Sequence, residues 1–322
     1  MKWLITGGCG FIGTALIKRL VAEGGHSIRV VDNLSVGTRE DLASCCEYEE
    51  AVAGLPFSGE RVQLVVGDIM DERLALEAGK DIDVVVHLAA NTGVGPSVEN
   101  PRLDCMTNVI GTFNYLESAR ANGIRRFVFA SSGAPIGECI PPIHEEMVPH
   151  PVSPYGASKL AGEGYCSSYF RTYGIDTVAL RFGNVYGPGS GHKNSVVAKF
   201  IKLALEGKTL EIYGDGTQTR DFIYIADLIE AVVKAATVPG VGGEVFQIAT
   251  SAETTVGEML EILLAEFERR GIRGVKYMNG EKRLGDVMRN FSDTSKAKNI
   301  LGWEFKVGLG EGIANTIEYF VN

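Results

Sequence analysis

A tyrosine and a lysine four residues apart, Tyr155 and Lys159, stand in the stretch Ser153-Pro154-Tyr155-Gly156-Ala157-Ser158-Lys159, with Ala130-Ser131-Ser132 upstream. Ser153 is suited to cap a helix and Pro154 to fill its first turn, which places phenol and ammonium on one helical face. An unperturbed tyrosine titrates near ~10, so the phenol is a poor base at neutral pH unless a fixed cation favours the phenolate. Lys159 is placed to supply that charge, and each unit of depression represents ~1.4 kcal/mol of differential stabilisation. The chemistry predicted is general-base proton removal. Five residues alone do not separate this from an ordinary helix-surface pair, so the elements around them decide.

Those elements are legible upstream. Residues 2 to 6 form a short apolar strand that runs into Thr6-Gly7-Gly8-Cys9-Gly10-Phe11-Ile12-Gly13, and the helical pattern Ala15, Leu16, Leu20, Val21 follows. Gly7 permits the tight turn, Gly10 lets the backbone approach a pyrophosphate, and Gly13 allows the helix to pack on the strand. Gly7, Gly10, Phe11, Ile12 and Gly13 are therefore cofactor-binding candidates. A second strand, Ile28 to Asp32, ends in a carboxylate and is followed by Asn33. An acid there accepts hydrogen bonds from ribose hydroxyls and repels a 2'-phosphate, so NAD is favoured over NADP. Arg39 is the one feature that softens this preference.

Val62 to Val66 is a third strand. Asp68 and Ile69 follow where an adenine edge would be met, and Asp68 would serve equally as the cap of a helix beginning Asp71-Glu72. A fourth strand, Val84 to Ala90, ends in Leu88-Ala89-Ala90, which allow close approach of a cofactor; His87 reads as a packed strand-end residue rather than a catalyst. A helix from Arg102 to Ala121, a fifth strand from Arg126 to Ala130 that delivers Ser131 and Ser132, the Tyr155 helix and a sixth strand from Thr177 to Arg181 continue the alternation. This order predicts an α/β fold, a doubly wound parallel Rossmann sheet. The glycine-rich loop Gly187-Pro188-Gly189-Ser190-Gly191 marks a change of texture after Arg181. Residues 1–181 are expected to form a NAD-binding Rossmann domain and residues 182–322 a smaller C-terminal α/β lobe that binds substrate, with some segments packing back on the first.

The 322 residues are 45% hydrophobic and 22% charged, an ordinary globular balance in a chain long enough for two lobes. A net charge of −9 argues against a broad nucleic-acid surface. The six cysteines show no Cys-x-x-Cys spacing, so reduced thiols are expected, and no metal site. Met1 to Thr6 runs straight into the glycine turn, leaving no room for a signal peptide, and no apolar run approaches the ~18 residues that span a bilayer. A soluble cytoplasmic protein with no membrane or nucleic-acid partner is expected.

Jointly, Thr6 to Gly13, Asp32-Asn33-Leu34, His87 to Ala90, Ser131-Ser132, Tyr155 to Lys159, Arg181 to Pro188, Arg220-Asp221-Phe222 and Arg283-Leu284-Gly285-Asp286 resemble the extended short-chain dehydrogenase/reductase family. Within it they are most similar to the nucleotide-sugar 4-epimerases. The resemblance implies that Tyr155 is the base, that Lys159 lowers its pKa and binds the nicotinamide ribose, and that Ser132 hydrogen-bonds the reacting hydroxyl, Ser131 sitting one place too early. It implies that Asn184 contacts the substrate phosphate and that Arg220 and Arg283 neutralise the pyrophosphate, a task their guanidinium forks suit. Local pairing of Arg220 with Asp221 or Asp215, and of Arg283 with Asp286, is the plainer alternative. Tyr213 is implied to flank the uracil and Asp286 the uridine ribose. Asn290 either lines the pocket near the sugar C2 substituent or bonds only local backbone.

The reaction so implied is epimerisation at C4 of a UDP-sugar, of the UDP-glucose/UDP-galactose or the N-acetylhexosamine pair. Tyr155 takes the 4-hydroxyl proton while hydride passes to NAD, and hydride returns to the other face of a transient 4-keto sugar. Related sugar 4,6-dehydratases carry an Asp-Glu pair where this chain has Gly133-Ala134, and neither residue can transfer a proton. Ile136 replaces a tyrosine common in relatives. A UDP-glucuronate 4-epimerase using His192 or Lys193, a net NAD(P)H-dependent reductase and a non-catalytic dinucleotide sensor are the alternatives. Apolar surface on the helices Arg102 to Ala121 and Ser158 to Tyr173, for example Tyr165 and Tyr169, predicts a homodimer, as family relatives pair these helices.

Overall fold

The computed structural model describes residues 1–57, 59, 61–192, 195–281 and 287–321. The first half of the chain runs β1 (Lys2–Thr6), α1 (Phe11–Glu23), β2 (Ser27–Asp32), α2 (Arg39–Ala43), β3 (Glu49–Glu50), β4 (Val62–Val66), α3 (Glu72–Ala78), β5 (Val84–His87), α4 (Val94–Glu99), α5 (Pro101–Cys105), α6 (Gly111–Asn122), β6 (Arg126–Ser132), α7 (Pro154–Tyr173) and β7 (Asp176–Phe182). The second half runs β8 (Asn184–Tyr186), α8 (Val196–Leu205), β9 (Leu210–Tyr213), β10 (Thr219–Arg220), β11 (Phe222–Tyr224), α9 (Ile225–Thr237), β12 (Val245–Ile248), β13 (Thr254–Thr255), α10 (Val256–Arg269), β14 (Tyr277–Gly280) and α11 (Leu309–Val321).

Eight strands make one sheet in the order β12-β7-β6-β5-β1-β2-β4-β3, with every neighbouring pair parallel. The strand order reverses at β1, and the crevice beyond its carboxyl end is where such sheets bind ligands. Alternate strand residues feed two cores. Trp3, Ile5, Val30, Val86 and Val178 pack with Leu16 and Leu20 of α1 and Leu228 and Val232 of α9. Leu4, Val31, Val85, Phe127 and Phe129 pack with Ala75, Tyr115, Leu116 and Cys166 on the other side. Burial on both faces explains why these strands read as nearly continuous apolar runs.

Three departures from the sequence reading have physical causes. Val245–Ile248, which the sequence reading did not assign to a sheet, pairs with β7 and becomes the edge of the main one, a segment after residue 182 that packs back on the first domain. The fourth strand stops at His87, because the Leu88 and Ala89 N–H groups turn to the carbonyl and hydroxyl of Thr6, each at 3.2 Å. The helix expected over Arg102 to Ala121 is interrupted by a π turn at Met106–Ile110, where the Thr112 hydroxyl takes the Asn108 carbonyl at 2.6 Å and disturbs the ladder. Among the described residues no helix is long and apolar enough to cross a membrane.

Candidate active site

The carboxyl end of β6 and the first turns of α7 bring Ser132, Tyr155 and Lys159 together. Ser153 Oγ accepts the Gly156 N–H at 3.2 Å and Pro154 opens the first turn, the cap read from sequence. Two glycines let α7 lie close on β6. A Cβ on Gly156 would stand 2.6 Å from the Ala134 carbonyl oxygen, and one on Gly162 would overlap the Phe129 ring. Lys159, 4% exposed, donates to the Ala130 carbonyl at 2.8 Å and lies 5.0 Å from the centre of the Phe129 ring and 5.9 Å from that of Tyr155. Ser132 accepts the Ala134 N–H at 3.2 Å and is within hydrogen-bonding reach of the Tyr155 phenol.

The phenol is pushed up to about 12, chiefly by burial; the Ser132 hydrogen bond pulls it down and the Asp104 carboxylate raises it further. The depressed phenol expected beside Lys159 is thus not what the protein alone produces, because desolvation of the phenolate outweighs the favourable contacts.

Ser131 points to the other side of β6. Its hydroxyl donates to Glu163 Oε1 at 2.5 Å, and Glu163 forms a bidentate pair with Arg181 at 2.9 and 2.7 Å. This buried cluster ties α7 to β6 and β7 and went unread in the sequence, because its members are far apart in the chain. His87 is 1% exposed, with Thr6 Oγ1 2.9 Å from Nδ1 and Thr112 Oγ1 3.1 Å from Nε2. Since the Thr112 proton goes to Asn108, Nε2 carries the imidazole proton. Burial first, then Lys159, pushes the ring down to about 3, so His87 is a neutral packing residue, as read.

The dinucleotide candidates line the crevice at β1. Gly7 has φ 70°, and a Cβ there would stand 2.8 Å from Ala89 N; a Cβ on Gly13 would overlap the Gly7 carbonyl oxygen. Leu88 and Ala89 are thereby set against the glycine turn, with Ala90 next in the chain. The α1 N-cap is Gly10, which brings no side chain, so the first N–H groups face the crevice without a side-chain cap. Phe11 is buried and Ile12 half-buried beside them. Asp32 accepts N–H bonds from Cys9 and Leu34, both at 2.9 Å, which hold its pKa down while burial, the larger effect, raises it. Asn33 donates to Asp68 at 3.0 Å, and Asp68 accepts the Met70 N–H at 2.9 Å. The cap of α3 is Asp71, so Asp68 is released from the capping alternative. Asn114 fixes the Ile69 carbonyl at 3.1 Å. A shelf that admits no Cβ, an uncapped helix start and a carboxylate at the next strand end fit a dinucleotide. Arg39 is paired with Glu50 at 2.6 Å in an exposed ion pair.

On the opposite wall β8 pairs with β11, setting Asn184 against Phe222. Arg220 donates to the carbonyls of Thr219 and Val287 at 2.7 and 2.8 Å, whereas Asp221 binds Thr250 and the Ser292 N–H. Pairing of Arg220 with Asp221 is therefore not what these bonds serve. Asn290 N–H bonds Thr219 Oγ1 at 3.2 Å, and its Oδ1 lies 4.0 Å from where a Gly133 side chain would begin. This brings Asn290 beside Gly133, the residue after Ser132. The Tyr213 ring lies 5.1 Å from the Lys199 ammonium, and its carbonyl accepts from Gln218 Nε2 at 2.8 Å. His192 Nε2 lies 3.1 Å from the Asp41 carboxylate of α2. Arg283, Asp286 and Lys193 lie outside the described residues. Sequence reading missed Asn108, whose amide clamps both N–H and carbonyl of Asn91 at 2.8 and 3.0 Å; a polar residue amid the apolar helix pattern was the available signal.

Residues 3–249 match the model of the NAD dependent epimerase/dehydratase family. The chain belongs to this family. The UDP-glucose 4-epimerase of Mycolicibacterium smegmatis is 37% identical over 332 residues, covering 100% of this chain and 99% of the relative. The UDP-glucose 4-epimerase of Thermotoga maritima, solved with UDP-glucose, is 35% identical with a TM-score of 0.87, and covers 100% of this chain and 99% of that one. The UDP-glucose 4-epimerase of Thermus thermophilus, solved in complex with NAD, is 33% identical with a TM-score of 0.86, and covers 100% of this chain and 99% of that one. For a member of an epimerase/dehydratase family, the residues after Ser132 bear on the reaction. Gly133 and Ala134 occupy the turn that faces Asn290 and Gly156, and neither offers a proton-transfer group.

Proposed function

We propose that this protein interconverts UDP-sugars at C4 with NAD as its cofactor. The observation that carries this is the convergence of Ser132, Tyr155 and Lys159 beside the glycine shelf, on a wall where Gly133 and Ala134 supply no second acid or base. Gly7, Gly10 and Gly13 receive the pyrophosphate of the dinucleotide, Asp32 its adenosine ribose and Lys159 its nicotinamide ribose. Bound NAD would supply the hydride acceptor and donor for the sugar C4. Tyr155 removes the proton from the 4-hydroxyl and later returns it, with Ser132 bonded to the same oxygen. Asn184 and Arg220 hold the diphosphate, Tyr213 the uracil, and Asn290 borders the C2 substituent, so the accepted sugars are plain hexoses or their N-acetyl analogues. In this division residues 1–181 carry NAD and residues 182–322 the nucleotide sugar, with β12 and α9 returning to the first.

The protein works as a homodimer in this reading. Leu103, Met106 and Ile110 along α5 and the π turn, and Tyr165 on the adjoining α7, are 38–45% exposed, an apolar face where two such helix pairs would join. Tyr169 does not belong to that face: it is buried and its hydroxyl donates to Glu117 at 2.5 Å. Sedimentation that found only monomers would contradict the dimer. Six unpaired cysteines suit a reducing cytoplasm.

The reaction is tested by incubating the protein with NAD and a panel of UDP-hexoses, UDP-N-acetylhexosamines and UDP-hexuronates and resolving the C4 epimers. Catalytic epimer formation without net loss of NAD is expected. Stoichiometric oxidation of NADH with a reduced sugar product would favour a reductase instead.

A further inference from the structure

Cys45 and Cys46 follow α2 after Ser44 and take no part in the site described above. Their backbone N–H groups, at 3.1 and 3.2 Å, and their sulfurs, at 3.1 and 3.7 Å, all turn to a single atom, the Leu42 carbonyl oxygen. Side chains of adjacent residues on a helix or strand diverge. Here the turn that ends α2 gathers both thiols on one side, within hydrogen-bonding reach of each other. Both are half-buried, open enough for a small molecule, and neither is in a disulfide. They pack on the core that contains Leu42 and Cys9. Cys9 leads back to the cofactor site: its N–H holds the Asp32 carboxylate at 2.9 Å, and a Cβ on Gly37, two residues before α2, would overlap its carbonyl oxygen. A shift at α2 is therefore carried, through packing with no slack, to the residue that orients Asp32.

We propose that Cys45 and Cys46 form a dithiol modification site, closed to a disulfide by hydrogen peroxide, and that closing it loosens the hold on NAD. The disulfide stands on the placement of the thiols; its effect on NAD rests on the reading of Asp32 as the ribose ligand. The Cys45 thiolate attacks one peroxide oxygen, the O–O bond breaks, and hydroxide leaves as the sulfur is oxidised to a sulfenic acid. Cys46 then attacks that sulfur, the S–OH bond breaks, and the departing hydroxide takes the Cys46 proton. Two thiols become one disulfide, and the peroxide is reduced to water. Cys45 suits the first role. The bond from Cys46 lowers its thiol below the ordinary cysteine range; burial opposes this, Lys18 of α1 adds to the lowering, and Asp41 works against it. Cys46 is raised, first by the same bond and then by burial, and keeps its proton until the second step. Cys9 does not compete, being 1% exposed and pushed up to about 12, chiefly by burial and then by Asp32. The closed ring draws both sulfurs off the Leu42 carbonyl and so disturbs the end of α2.

The test treats the reduced full-length protein with hydrogen peroxide, maps its thiols by mass spectrometry after digestion, and measures NAD affinity by calorimetry before and after. A peptide that carries Cys45 and Cys46 and is lighter by two hydrogens is expected, and dithiothreitol should reverse the change. The Kd for NAD should rise roughly tenfold on oxidation, the scale of one weakened hydrogen bond to a charged group. Cys46→Ser should stop at a sulfenic acid on Cys45 that dimedone traps, and Cys45→Ser should keep its NAD affinity under peroxide. A Cys105→Ser/Cys139→Ser background removes the other thiols that solvent reaches, and the rise in Kd should persist in it. A pair that stays reduced while Cys105 is oxidised, or a bridge from either residue to Cys9, would overturn the site. A mapped disulfide that leaves the Kd unmoved would overturn its effect on NAD. Reduced protein that binds no NAD would instead sink the cofactor reading, and the mapped peptide would still decide the disulfide.

Discussion

Gly162→Ala probes how closely the catalytic helix must sit on the sheet. A Cβ at this position would overlap the Phe129 ring, standing 2.7 Å even from Cε1 where ordinary contact begins at 3.4 Å. The ring has little room to retreat, because it stacks on His87 with centroids 6.3 Å apart and supports the Lys159 ammonium. The helix must therefore lift by roughly 1 Å, at an overpacking cost of ~1–3 kcal/mol, offset by ~0.5–1 kcal/mol for alanine in place of a helical glycine. Net destabilisation of about 0–2.5 kcal/mol follows, a modest loss. Activity should suffer more. The Lys159–Ala130 bond and the Tyr155–Ser132 contact both span the α7–β6 gap, and misplacement by ~1 Å costs on the order of 100-fold in rate. Urea midpoints and kcat for UDP-glucose are to be measured on Gly162→Ala, Phe129→Leu and the double variant. The double variant should recover much of the lost rate as the smaller side chain makes room. Full kcat in Gly162→Ala, or no recovery in the double variant, would refute the claim that this close approach positions the base.

Asn290→Tyr should fill the space beside Gly133 and remove activity on UDP-N-acetylhexosamines while sparing hexoses, and Asn290→Ser should shift preference the other way; equal relative kcat/KM in both variants would exclude Asn290 from substrate selection. Glu117 is held down at about 2, mainly by its hydrogen bond from Arg120 and also by Tyr169. A depressed carboxylate contributes stability that is fully present above the ordinary glutamate range and lost as pH falls toward 2, so the Tm gap between wild type and Glu117→Gln should close over that interval. A gap independent of pH would contradict it.

What the sequence disclosed was local. The glycine turn after β1, the terminal Asp32, and the Ser153-Pro154 start of α7 each involve residues within a few positions of one another, where spacing alone dictates geometry. What it hid was long-range. Val245–Ile248 has the pattern of any short buried strand, and only tertiary pairing decides that it joins β7. Ser131, Glu163 and Arg181 sit on three elements, as do Asp104, Asn108 and Ser158 with the Asn91 loop, so no single periodicity contains either cluster. The upward displacement of the Tyr155 phenol was hidden for the same reason. Lys159 is four residues away and visible in the chain, whereas the burial that opposes it is a property of the fold.

The central claim is that the hydrogen on the sugar C4 leaves and returns as hydride within one site served by Tyr155. UDP-glucose is to be turned over by the NAD-loaded protein in D2O, and the isolated C4 epimer examined by NMR. UDP-galactose with no deuterium at C4, and NAD recovered unchanged, is the predicted result. Substantial deuterium at C4, which would mean that this carbon exchanges a proton with solvent, would contradict it.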